Sequence, residues 1–566
     1  MTPDARVAEL LTTFDAADLD LGSLLCDRHP ADGVAFTIVE PDLSTYDLTY
    51  AELGDRSRRF AAALAGLGVR PGDRVATLMG KSADLVTAIL GIWRAGAVHV
   101  PLFTAFATPA IALRLDGSDA KYVVSDAGQR AKLLPGEDLP DNPGWQVIVA
   151  GGSAGGGGEP GDLSLTRLVE EADPAAAPRV SRAGDSEFVR LFTSGTTGTP
   201  KGVPIPVRAL ASFVTYLEYG LGVTADDVYW NAADPGWAYG LYYGIAAPLA
   251  AGRRSILLQA GFSPETTWRV ISDLGVTNLA AAPTVFRALR SAEAQPPAGL
   301  RLRHASSAGE PLNPEVVSWG EKALGTPIHD TYGQTELGMS IVNGWHDDVI
   351  GPLKHGSMGR PMPGWHAVVL NNLVDEPAAV GEVGRVAVDL ARSPLMWFTG
   401  YVDAPDKTAE RFSADGRWYY TGDAGKVDED GYLFFSARDD DVIIMAGYRI
   451  GPFEVESVLV GDPDVAEAAV VGVPDELRGE VIEAFVVLAP GVSGDDALVD
   501  RLKQRVKTKL AAHAYPRRVH VVDELPKTPS GKIRRFQLRT QRAAEVRAGE
   551  VAAEGSGGAS AEGTAP

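Results

Sequence analysis

The stretch over residues 193–202 is the feature that most constrains this chain. Its sequence, T-S-G-T-T-G-T-P-K-G, mixes glycines with hydroxyl residues, so its backbone N–H groups can wrap around phosphate oxygens. Residues 189–192 precede it as a short apolar strand, and Lys201 adds a fixed positive charge. A Walker A loop is excluded, because Pro200 stands where that motif needs a glycine before its lysine. The stretch predicts a phosphate-binding loop at a strand end, with an ordinary turn as the alternative.

The length, charge and cysteine content restrict the class of protein. A chain of 566 residues is too long for one hydrophobic core and should divide into two or more domains. A net charge of −22 argues against a nucleic-acid partner, so any polyanion must bind in a local basic pocket. Cys26 is the only cysteine, which excludes an internal disulfide and a cysteine-based metal site. The acidic N-terminus and the lack of a long apolar window predict a cytoplasmic protein without a membrane span.

Strand-like and helix-like segments alternate along most of the chain, which predicts an α/β fold with large, partly parallel sheets. Residues 74–79 predict a buried strand, and Ser82 then predicts a helix N-cap. The apolar residues of the following segment share one helical face; they are Leu85, Ala88, Ile89 and Trp93. Repeated units of this kind predict a large N-terminal domain of sheets flanked by helices.

The character of the sequence changes after Arg438. Short alternating runs at 468–473 and 483–488, a helix over 495–510 and a strand over 518–522 predict a small α+β domain. The composition further predicts a mobile glycine-rich loop and a disordered tail; these segments are 151–161 and 543–566. The predicted domains are an N-terminal domain over 1–438, a hinge over 439–441 and a C-terminal domain over 442–542.

Further polar motifs follow the phosphate loop in order. They are S-A-G-E-P at 307–311, D-T-Y-G-Q-T-E at 330–336, Y-T-G-D at 420–423, Arg438, A-G-Y-R-I-G-P at 446–452 and P-K-T-P-S-G-K at 526–532. The neighbouring hydroxyl and carboxylate of Thr335 and Glu336 suit a phosphate oxygen and a Mg²⁺ ion. The carboxylate of Asp423 can accept both hydroxyls of a ribose. Taken singly, each motif also fits a solvated polar turn.

In this order the motifs resemble those of the adenylate-forming superfamily, over about residues 40–540. The resemblance is to AMP-dependent acyl-CoA synthetases of the acetyl- and medium-chain branch. It implies ATP, Mg²⁺ and CoA as cofactors and co-substrates, with a carboxylic acid as the remaining substrate. An acyl-adenylate and pyrophosphate form first, and the CoA sulfur then displaces AMP. The resemblance also implies that the small C-terminal domain pivots about Asp440 between these half-reactions.

The resemblance assigns site residues by their positions in the motifs. The implied ATP and AMP contacts are Thr193, Ser194, Gly195, Thr196, Thr197, Gly198, Lys201, Gly309, Glu310, Pro311, Asp330, Thr331, Tyr332, Gly333, Gln334, Thr335, Asp423, Arg438, Arg449 and Lys532. Among these the catalytic residues are Lys201, Thr335, Glu336 and Lys532, and Glu336 is also the metal ligand. The implied CoA contacts are Ala446, Gly447, Tyr448, Arg478 and Tyr515. Trp237 and Gly333 are assigned to the acyl pocket.

The identity of the acid depends mainly on Gly333. Acetate-specific members of the family carry tryptophan at this position and medium-chain members carry glycine, so we predict a short- or medium-chain fatty acid. Trp237 fits an acyl pocket or ordinary packing equally well. One departure from the family is the stretch I-P-V-R at 205–208, where a histidine-containing segment is usual.

Several alternatives remain open at this stage. They are a ligase specific for acetate or an aromatic acid, an enzyme that loads a carrier protein, and a catalytically silent nucleotide sensor. The exposed, basic surroundings of Lys532 also predict reversible acetylation, with a lysine acetyltransferase and deacetylase as partners.

Overall fold

The computed structural model describes residues 1–151, 158–193, 200–292, 294–438, 441–445, 448–475, 478–528 and 532–545. Tyr448, Arg449 and Gly479 are described by their backbone alone. Several predicted site residues lie outside the described residues; they are Ser194, Gly195, Thr196, Thr197, Gly198, Asp440, Ala446 and Gly447. The same holds for most of the predicted glycine-rich loop and for residues 546–566 of the predicted tail.

Two large sheets dominate the chain up to residue 361. The strands are β1 (Val34–Val39), β2 (Thr45–Thr49), β3 (Arg74–Leu78), β4 (Val98–Pro101), β5 (Ala120–Asp126), β6 (Gln146–Ala150), β7 (Leu163–Ser164), β8 (Glu187–Thr193), β9 (Lys201–Pro206), β10 (Tyr229–Asn231), β11 (Ser255–Leu258), β12 (Asn278–Ala281), β13 (His304–Ala308), β14 (Ile328–Gln334), β15 (Gly338–Val342) and β16 (Arg360–Pro361). The seven-stranded sheet has the order β7-β6-β5-β3-β4-β8-β9, and the nine-stranded sheet has the order β16-β15-β14-β13-β12-β10-β11-β1-β2. Most neighbours are parallel, and the antiparallel pairs lie at the sheet edges.

Helices connect these strands, as expected for parallel pairing. They are α1 (Pro3–Phe14), α2 (Tyr50–Gly66), α3 (Ala83–Arg94), α4 (Thr108–Ser118), α5 (Leu165–Glu171), α6 (Ala209–Thr215), α7 (Ala238–Leu241), α8 (Ala247–Ala251), α9 (Pro264–Asp273), α10 (Pro283–Ser291) and α11 (Pro314–Ala323). Short π-helical turns occupy Ser23–Asp27, Tyr216–Gly220 and Tyr242–Ala246, and 3₁₀ turns occupy Ala127–Leu133, Pro174–Ala176 and Leu390–Arg392. One hydrophobic core joins both sheets, since it includes Val75 and Leu191 of the first and Phe36 and Leu257 of the second.

Helix α3 shows how the sequence sets a local element. The Ser82 side chain accepts a hydrogen bond from the backbone N–H of Leu85 at 3.1 Å, so the predicted N-cap is confirmed. The preceding strand β3 covers Arg74–Leu78, so the strand predicted over 74–79 is confirmed to within one residue. Leu85, Ile89 and Trp93 are buried on α3 as predicted, and the rest of the helix is almost completely buried too. The helix therefore lies inside the molecule rather than on its surface.

A four-stranded antiparallel sheet follows. Its strands are β17 (Ala367–Leu370), β18 (Gly384–Asp389), β19 (Trp418–Val427) and β20 (Leu433–Arg438), with the short helix α12 (Pro405–Ala409) before β19. The Y-T-G-D motif therefore lies within a strand, and Arg438 ends the next one. Asp423 of β19 pairs with Arg438 of β20 in the strand register.

The last part of the chain forms a separate sheet covered by helices. Its elements are β21 (Ile443–Met445), β22 (Tyr448–Ile450), α13 (Pro452–Val460), β23 (Val465–Asp475), β24 (Gly479–Leu488), α14 (Asp496–Lys509) and β25 (Arg518–Val521). Asp495 caps α14 through the backbone N–H of Leu498. A helix covers 535–545, so the first three residues of the predicted disordered tail, 543–545, are helical. The predicted α/β fold with a smaller C-terminal α+β region is confirmed; the exact domain limits remain a prediction.

Candidate active site

The hairpin of β8 and β9 fixes both ends of the predicted phosphate loop. Thr193 ends β8 directly opposite Lys201, which begins β9. The ammonium of Lys201 lies 4.4 Å from the centroid of the Tyr401 ring, a distance typical of a cation–π contact. Burial, and then the neighbouring Arg411, lower the pKa of Lys201, while Glu336 raises it. The lysine is therefore held at the base of the loop.

Glu336 is held by a chain of hydrogen bonds that the sequence did not predict. Tyr401 donates its hydroxyl to Glu336 Oε1 at 2.8 Å, and Arg411 Nε donates to Tyr401 Oη at 3.2 Å. Arg411 also donates to the backbone carbonyl of Thr421 at 2.9 Å. Tyr401 and Arg411 stand outside the motifs, and their contacts reach across tens of residues, so no local pattern identified them.

Asp423 joins two motifs that are far apart in sequence. Its Oδ2 accepts hydrogen bonds from Tyr332 Oη at 2.5 Å and from Gln334 Nε2 at 2.7 Å. Gln334 Nε2 also donates to the carbonyl of Thr421 at 2.8 Å. Burial, then the charge of Asp423, raise the pKa of Tyr332, so this phenol stays a donor. The D-T-Y-G-Q-T-E and Y-T-G-D motifs thus form one rigid polar surface.

The S-A-G-E-P segment turns at the end of β13. Gly309 has φ +105°, a conformation that side chains disfavour, and it lets the chain turn sharply. Glu310 then accepts a hydrogen bond from Arg287 Nη2 at 2.7 Å. Arg287 is a third site residue that the sequence did not predict, after Tyr401 and Arg411. Pro311 follows this turn, and its predicted contact with the nucleotide stays a prediction.

Asp330 is a buried carboxyl with one unused oxygen. Its Oδ2 accepts from the backbone N–H of Leu312 at 3.0 Å, while Oδ1 has no hydrogen-bond partner among the described residues. Burial raises the pKa of Asp330 to about 8, although the N–H groups of Leu312 and Thr331 oppose the shift. The raised pKa favours the protonated, neutral form of this carboxyl near pH 7. Thr331 beside it donates to the carbonyl of Ser307 at 2.9 Å.

Asp330→Asn should raise thermal stability most at alkaline pH. Between the ordinary carboxyl pKa of 3.8 and about 8, the unfolded chain loses this proton and the folded chain keeps it. The stability of the wild type therefore falls as pH rises, by up to about 1.4 kcal/mol per pH unit for this group. Asparagine keeps the acceptor for Leu312 and does not titrate.

The measurement is the melting temperature of both proteins from pH 5 to pH 8.5. The melting temperature of the Asn variant should exceed that of the wild type by an amount that increases with pH. Asp330→Ala, which removes the acceptor as well, should be less stable than the Asn variant at every pH. A gap that stays constant with pH would contradict the raised pKa.

Lys532 faces this surface from the C-terminal region. Burial has the largest effect on its pKa and lowers it, although solvent still reaches the side chain. Glu310, Asp423 and Glu336 oppose that effect, and Arg438 adds to it. The lysine is thus within electrostatic reach of acidic residues from three separate motifs. The structure brings these predicted site residues together with the base of the phosphate loop.

Two of the predicted CoA residues, Arg478 and Tyr515, lie on the C-terminal region away from the motifs described so far. Tyr515 is half-buried, with Lys507 and Arg517 each 4.0 Å from the centroid of its ring. Arg478 is exposed, and its charge helps burial to lower the pKa of Arg517. Lys507 and Arg517 were not predicted. Together these residues form a basic patch around an aromatic ring, which suits a phosphate-bearing ligand. Tyr448 and Arg449 form part of β22, whose backbone pairs with β21.

The two predicted acyl-pocket residues have different surroundings. Trp237 packs against Phe103 and Phe106, with ring centroids 5.7 Å and 5.3 Å away, and its indole N–H has no partner among the described residues. At Gly333, an added Cβ would lie 2.1 Å from the carbonyl oxygen of Gly338 on the neighbouring strand β15. The glycine is therefore required by the close approach of two backbones, whatever its relation to the acyl group.

A Mg²⁺ ion fits this site through a single protein carboxylate. No group of three or more potential metal ligands occurs in the parts of the chain that the structure describes. Mg²⁺ commonly binds one or two carboxylates together with substrate phosphates and water. Glu336, buried beside Lys201, supplies such a carboxylate. Thr335 next to it has its carbonyl fixed by a hydrogen bond from Tyr242 Oη at 3.1 Å.

Comparison with known proteins identifies the family. Residues 26–401 match the AMP-binding enzyme family and residues 454–532 match the AMP-binding enzyme C-terminal domain. The chain is 39% identical to an acetyl-coenzyme A synthetase of Bacillus subtilis, over 87% of this chain and 84% of that protein. It is 36% identical to the mitochondrial acyl-coenzyme A synthetase ACSM3 of Mus musculus, over 87% and 83%.

Solved structures agree with these sequence matches. An acyl-CoA synthetase of Brucella canis has 44% identity and a TM-score of 0.72, covering 96% of this chain and 97% of that chain. A benzoate CoA ligase of Burkholderia xenovorans has 29% identity and a TM-score of 0.78, covering 94% and 99%. The chain belongs to the AMP-binding enzyme family, among the acyl-CoA synthetases of the adenylate-forming superfamily. The predicted enzyme class, an AMP-forming acid–CoA ligase that uses ATP, is confirmed. No described helix has the length and apolar character needed to span a bilayer.

Proposed function

We propose that this acid–CoA ligase activates a short- or medium-chain carboxylic acid, with the motif residues serving two half-reactions. In the first, a carboxylate oxygen of the acid attacks the α-phosphorus of ATP, and pyrophosphate leaves. In the second, the CoA sulfur attacks the acyl carbon, AMP leaves, and the thiol proton passes to solvent. Both steps depend on positioning and on neutralising negative charge, which fixed cations and backbone donors supply.

Each motif has a proposed part in the first step. Asp423 and Arg438 hold the ribose, and the turn at Gly309 lies beside the adenine. Residues 193–198 and Lys201 hold the phosphates. Glu336 holds Mg²⁺, which would neutralise phosphate charge when bound, and Lys532 approaches the reacting groups. Thr335 and Arg449 are proposed as further phosphate contacts.

One observation carries this proposal. Lys532 lies within electrostatic reach of Glu310, Asp423 and Glu336, although it is more than a hundred residues away from each of them in sequence. A lysine surrounded by the carboxylates of three nucleotide motifs is well placed to meet the negative charge of ATP. In the second step the C-terminal domain, proposed to cover residues 442–542, would rotate about Asp440 and bring Gly447 to the same site.

A single-turnover experiment tests the proposed sequence of steps. Enzyme, ATP, Mg²⁺ and hexanoate without CoA should release about one pyrophosphate per active site. Addition of CoA should start continuous turnover, with AMP and hexanoyl-CoA formed in equal amounts. A nucleotide sensor would release no pyrophosphate, and an enzyme that loads a carrier protein would not turn over with free CoA.

The basic patch around Tyr515 is the proposed site of the CoA phosphates. Arg478→Ala should raise the KM for CoA about tenfold, because a charge-assisted hydrogen bond is lost. The pyrophosphate burst without CoA should remain unchanged. Arg517→Ala should have the same effect, whereas Arg167→Ala should have none, because this exposed arginine forms its one ion pair among the described residues with nearby Glu171. An equal effect of Arg478→Ala on the burst would contradict the assignment.

Two further proposals concern the cellular setting. The enzyme is proposed to act in the cytoplasm. Lys532 is also proposed as a target of reversible acetylation, because the modification would remove the charge that the first half-reaction needs. Enzyme acetylated at Lys532 should resemble a Lys532→Ala variant, and full activity of the acetylated protein would contradict this proposal.

A further inference from the structure

The helix over 535–545, which begins three residues after Lys532, carries a row of arginines. Arg535, Arg539 and Arg542 follow each other at intervals of four and three residues, so they share one face of the helix. Each of them pairs with an acidic residue on another element of the C-terminal region. We call this row the arginine face. None of these arginines belongs to the motif residues that are proposed to contact ATP or CoA.

Arg535 makes the pair nearest to Lys532. Its Nε donates to Glu456 Oε1 at 3.0 Å, and its Nη2 donates to Glu456 Oε2 at 2.6 Å. The pair is bidentate, which fixes direction as well as distance. The side chain of Glu456 is 6% exposed and that of Arg535 is 22% exposed. Glu456 Oε1 also accepts the backbone N–H of Val470 at 2.8 Å, so the carboxylate is itself fixed to β23.

The same arginine face reaches the predicted hinge. Arg539 Nη1 donates to Asp441 Oδ1 at 2.5 Å, and Arg535 lies 3.8 Å from the other oxygen of Asp441. Asp441 directly follows the proposed pivot residue. Burial works to lower the pKa of Arg535, but Glu456, Asp441 and Glu310 together raise it. The guanidinium therefore stays charged between the hinge and the nucleotide surface.

The backbone between Arg535 and Lys532 leaves little room for independent movement. Thr528 N–H donates to the carbonyl of Lys532 at 2.7 Å, and the Lys532 N–H donates back to Thr528 Oγ1 at 3.0 Å. The N–H of Arg534 donates to the carbonyl of Pro526 at 2.8 Å. Any shift of the helix start is therefore passed on to Lys532.

From this geometry we infer that Arg535, held by Glu456 and Asp441, is a positioning residue for Lys532 in the adenylation step. The inference rests on the proposed role of Lys532. The bidentate pair with Glu456 fixes the start of the helix. The ion pair with Asp441 connects this helix start to the proposed pivot at Asp440. An error in this placement would move the lysine ammonium away from the reacting phosphate, and misplacement by about 1 Å can reduce a rate roughly a hundredfold.

The test measures both half-reactions of Arg535→Gln, Arg535→Lys and Glu456→Gln at a temperature where each protein is folded. We expect roughly a tenfold or greater loss in the rate of the pyrophosphate burst for Arg535→Gln and Glu456→Gln. Thioester formation from pre-made hexanoyl-AMP and CoA should change less than twofold. Arg535→Lys keeps the positive charge but cannot form the bidentate pair of hydrogen bonds. Its burst rate should therefore lie between that of Arg535→Gln and that of the wild type.

Arg542→Gln is the matched control. Arg542 belongs to the same arginine face and pairs with the fully buried Glu483 at 2.8 Å, but it makes no contact with Asp441 or Glu456 among the described residues. It should lower the melting temperature and leave the burst rate of the folded protein unchanged. If Arg535→Gln does not fold, Glu456→Gln and Arg535→Lys decide the question.

Besides an unchanged burst in the Arg535 and Glu456 variants, two results would overturn the inference, and they differ from a failure of the proposed function. One is an equal loss in both half-reactions for the Arg535 and Glu456 variants. The other is a selective loss for Arg542→Gln as large as that for Arg535→Gln. If Lys532→Ala itself spares the burst, the role of Lys532 is wrong; if only the Arg535 and Glu456 variants spare it, the positioning inference alone is wrong.

Discussion

Lys532→Ala should slow acyl-adenylate formation by about two to three orders of magnitude while leaving thioester formation from pre-made acyl-AMP nearly intact. A preorganised charge contact to a developing negative charge commonly contributes that much to a rate. In the structure, the charges of Glu310, Asp423 and Glu336 all act on this lysine. Its loss should therefore affect the step in which ATP reacts.

The measurement separates the half-reactions by rapid mixing. Pyrophosphate release is followed after mixing enzyme with ATP and hexanoate, and thioester formation is followed after mixing enzyme with hexanoyl-AMP and CoA. Lys527→Ala is a matched control, because Lys527 lies in the same segment and pairs with Glu467 at 2.7 Å. It should leave both rates within about twofold, as expected for the loss of a largely exposed ion pair. Equal loss of both rates in Lys532→Ala would show that Lys532 is structural.

The sequence predicted those parts of the site that lie within continuous motifs. The placement of Thr193 and Lys201 depends only on the turn between two neighbouring strands, and that of Ser82 depends only on the helix that it caps. Such features depend on residues a few positions apart in sequence, so local patterns of glycine, hydroxyl and apolar residues are enough to predict them. The α/β fold follows from the same local alternation, repeated along the chain.

The supporting residues could not be found in this way. Tyr401 meets Glu336 across 65 positions, and Arg535 meets Glu456 across 79. An isolated tyrosine or arginine carries no signal of its partner until the fold brings them together. The raised pKa of Asp330 has the same origin, since it depends on the burial of this carboxyl in the folded chain rather than on the sequence of the motif.

For Gly333, the sequence and the structure lead to different expectations about one variant. From the sequence, replacement by tryptophan should close the acyl pocket and spare acetate. The structure pairs Gly333 with Met339 and Gln334 with Gly338, and a Cβ at 333 would collide with the Gly338 carbonyl. Gly333→Trp should therefore displace Gln334 from Asp423 and impair every acid alike, because overpacking moves the backbone. If this variant keeps its activity on acetate and loses it on longer acids, residue 333 limits the length of the acyl pocket, as expected from the sequence.

Acyl length is better tested on the wild type, and kcat/KM should rise from acetate through butyrate to hexanoate. Each buried methylene contributes about 0.8 kcal/mol, which corresponds to roughly fourfold per carbon until the pocket is full. Over the four carbons from acetate to hexanoate the expected gain is about two hundredfold. The series acetate, propionate, butyrate, hexanoate and benzoate also measures preference for an aromatic acid.

Trp237 provides the variant for the same series. If its indole lines the pocket beside Phe103 and Phe106, Trp237→Ala should lower kcat/KM for hexanoate and benzoate more than for acetate, since only the longer acids reach that contact. Trp268→Ala is the control: Trp268 is buried beside Trp319 in a hydrophobic cluster separate from the one that Trp237 contacts, so its loss should lower stability without changing the order of the acids. A parallel loss for all acids in Trp237→Ala would assign the residue to packing. A wild type that prefers acetate to every longer acid would refute the medium-chain proposal and leave the ligase class unchanged, because the carboxylate and nucleotide contacts are shared by all these substrates.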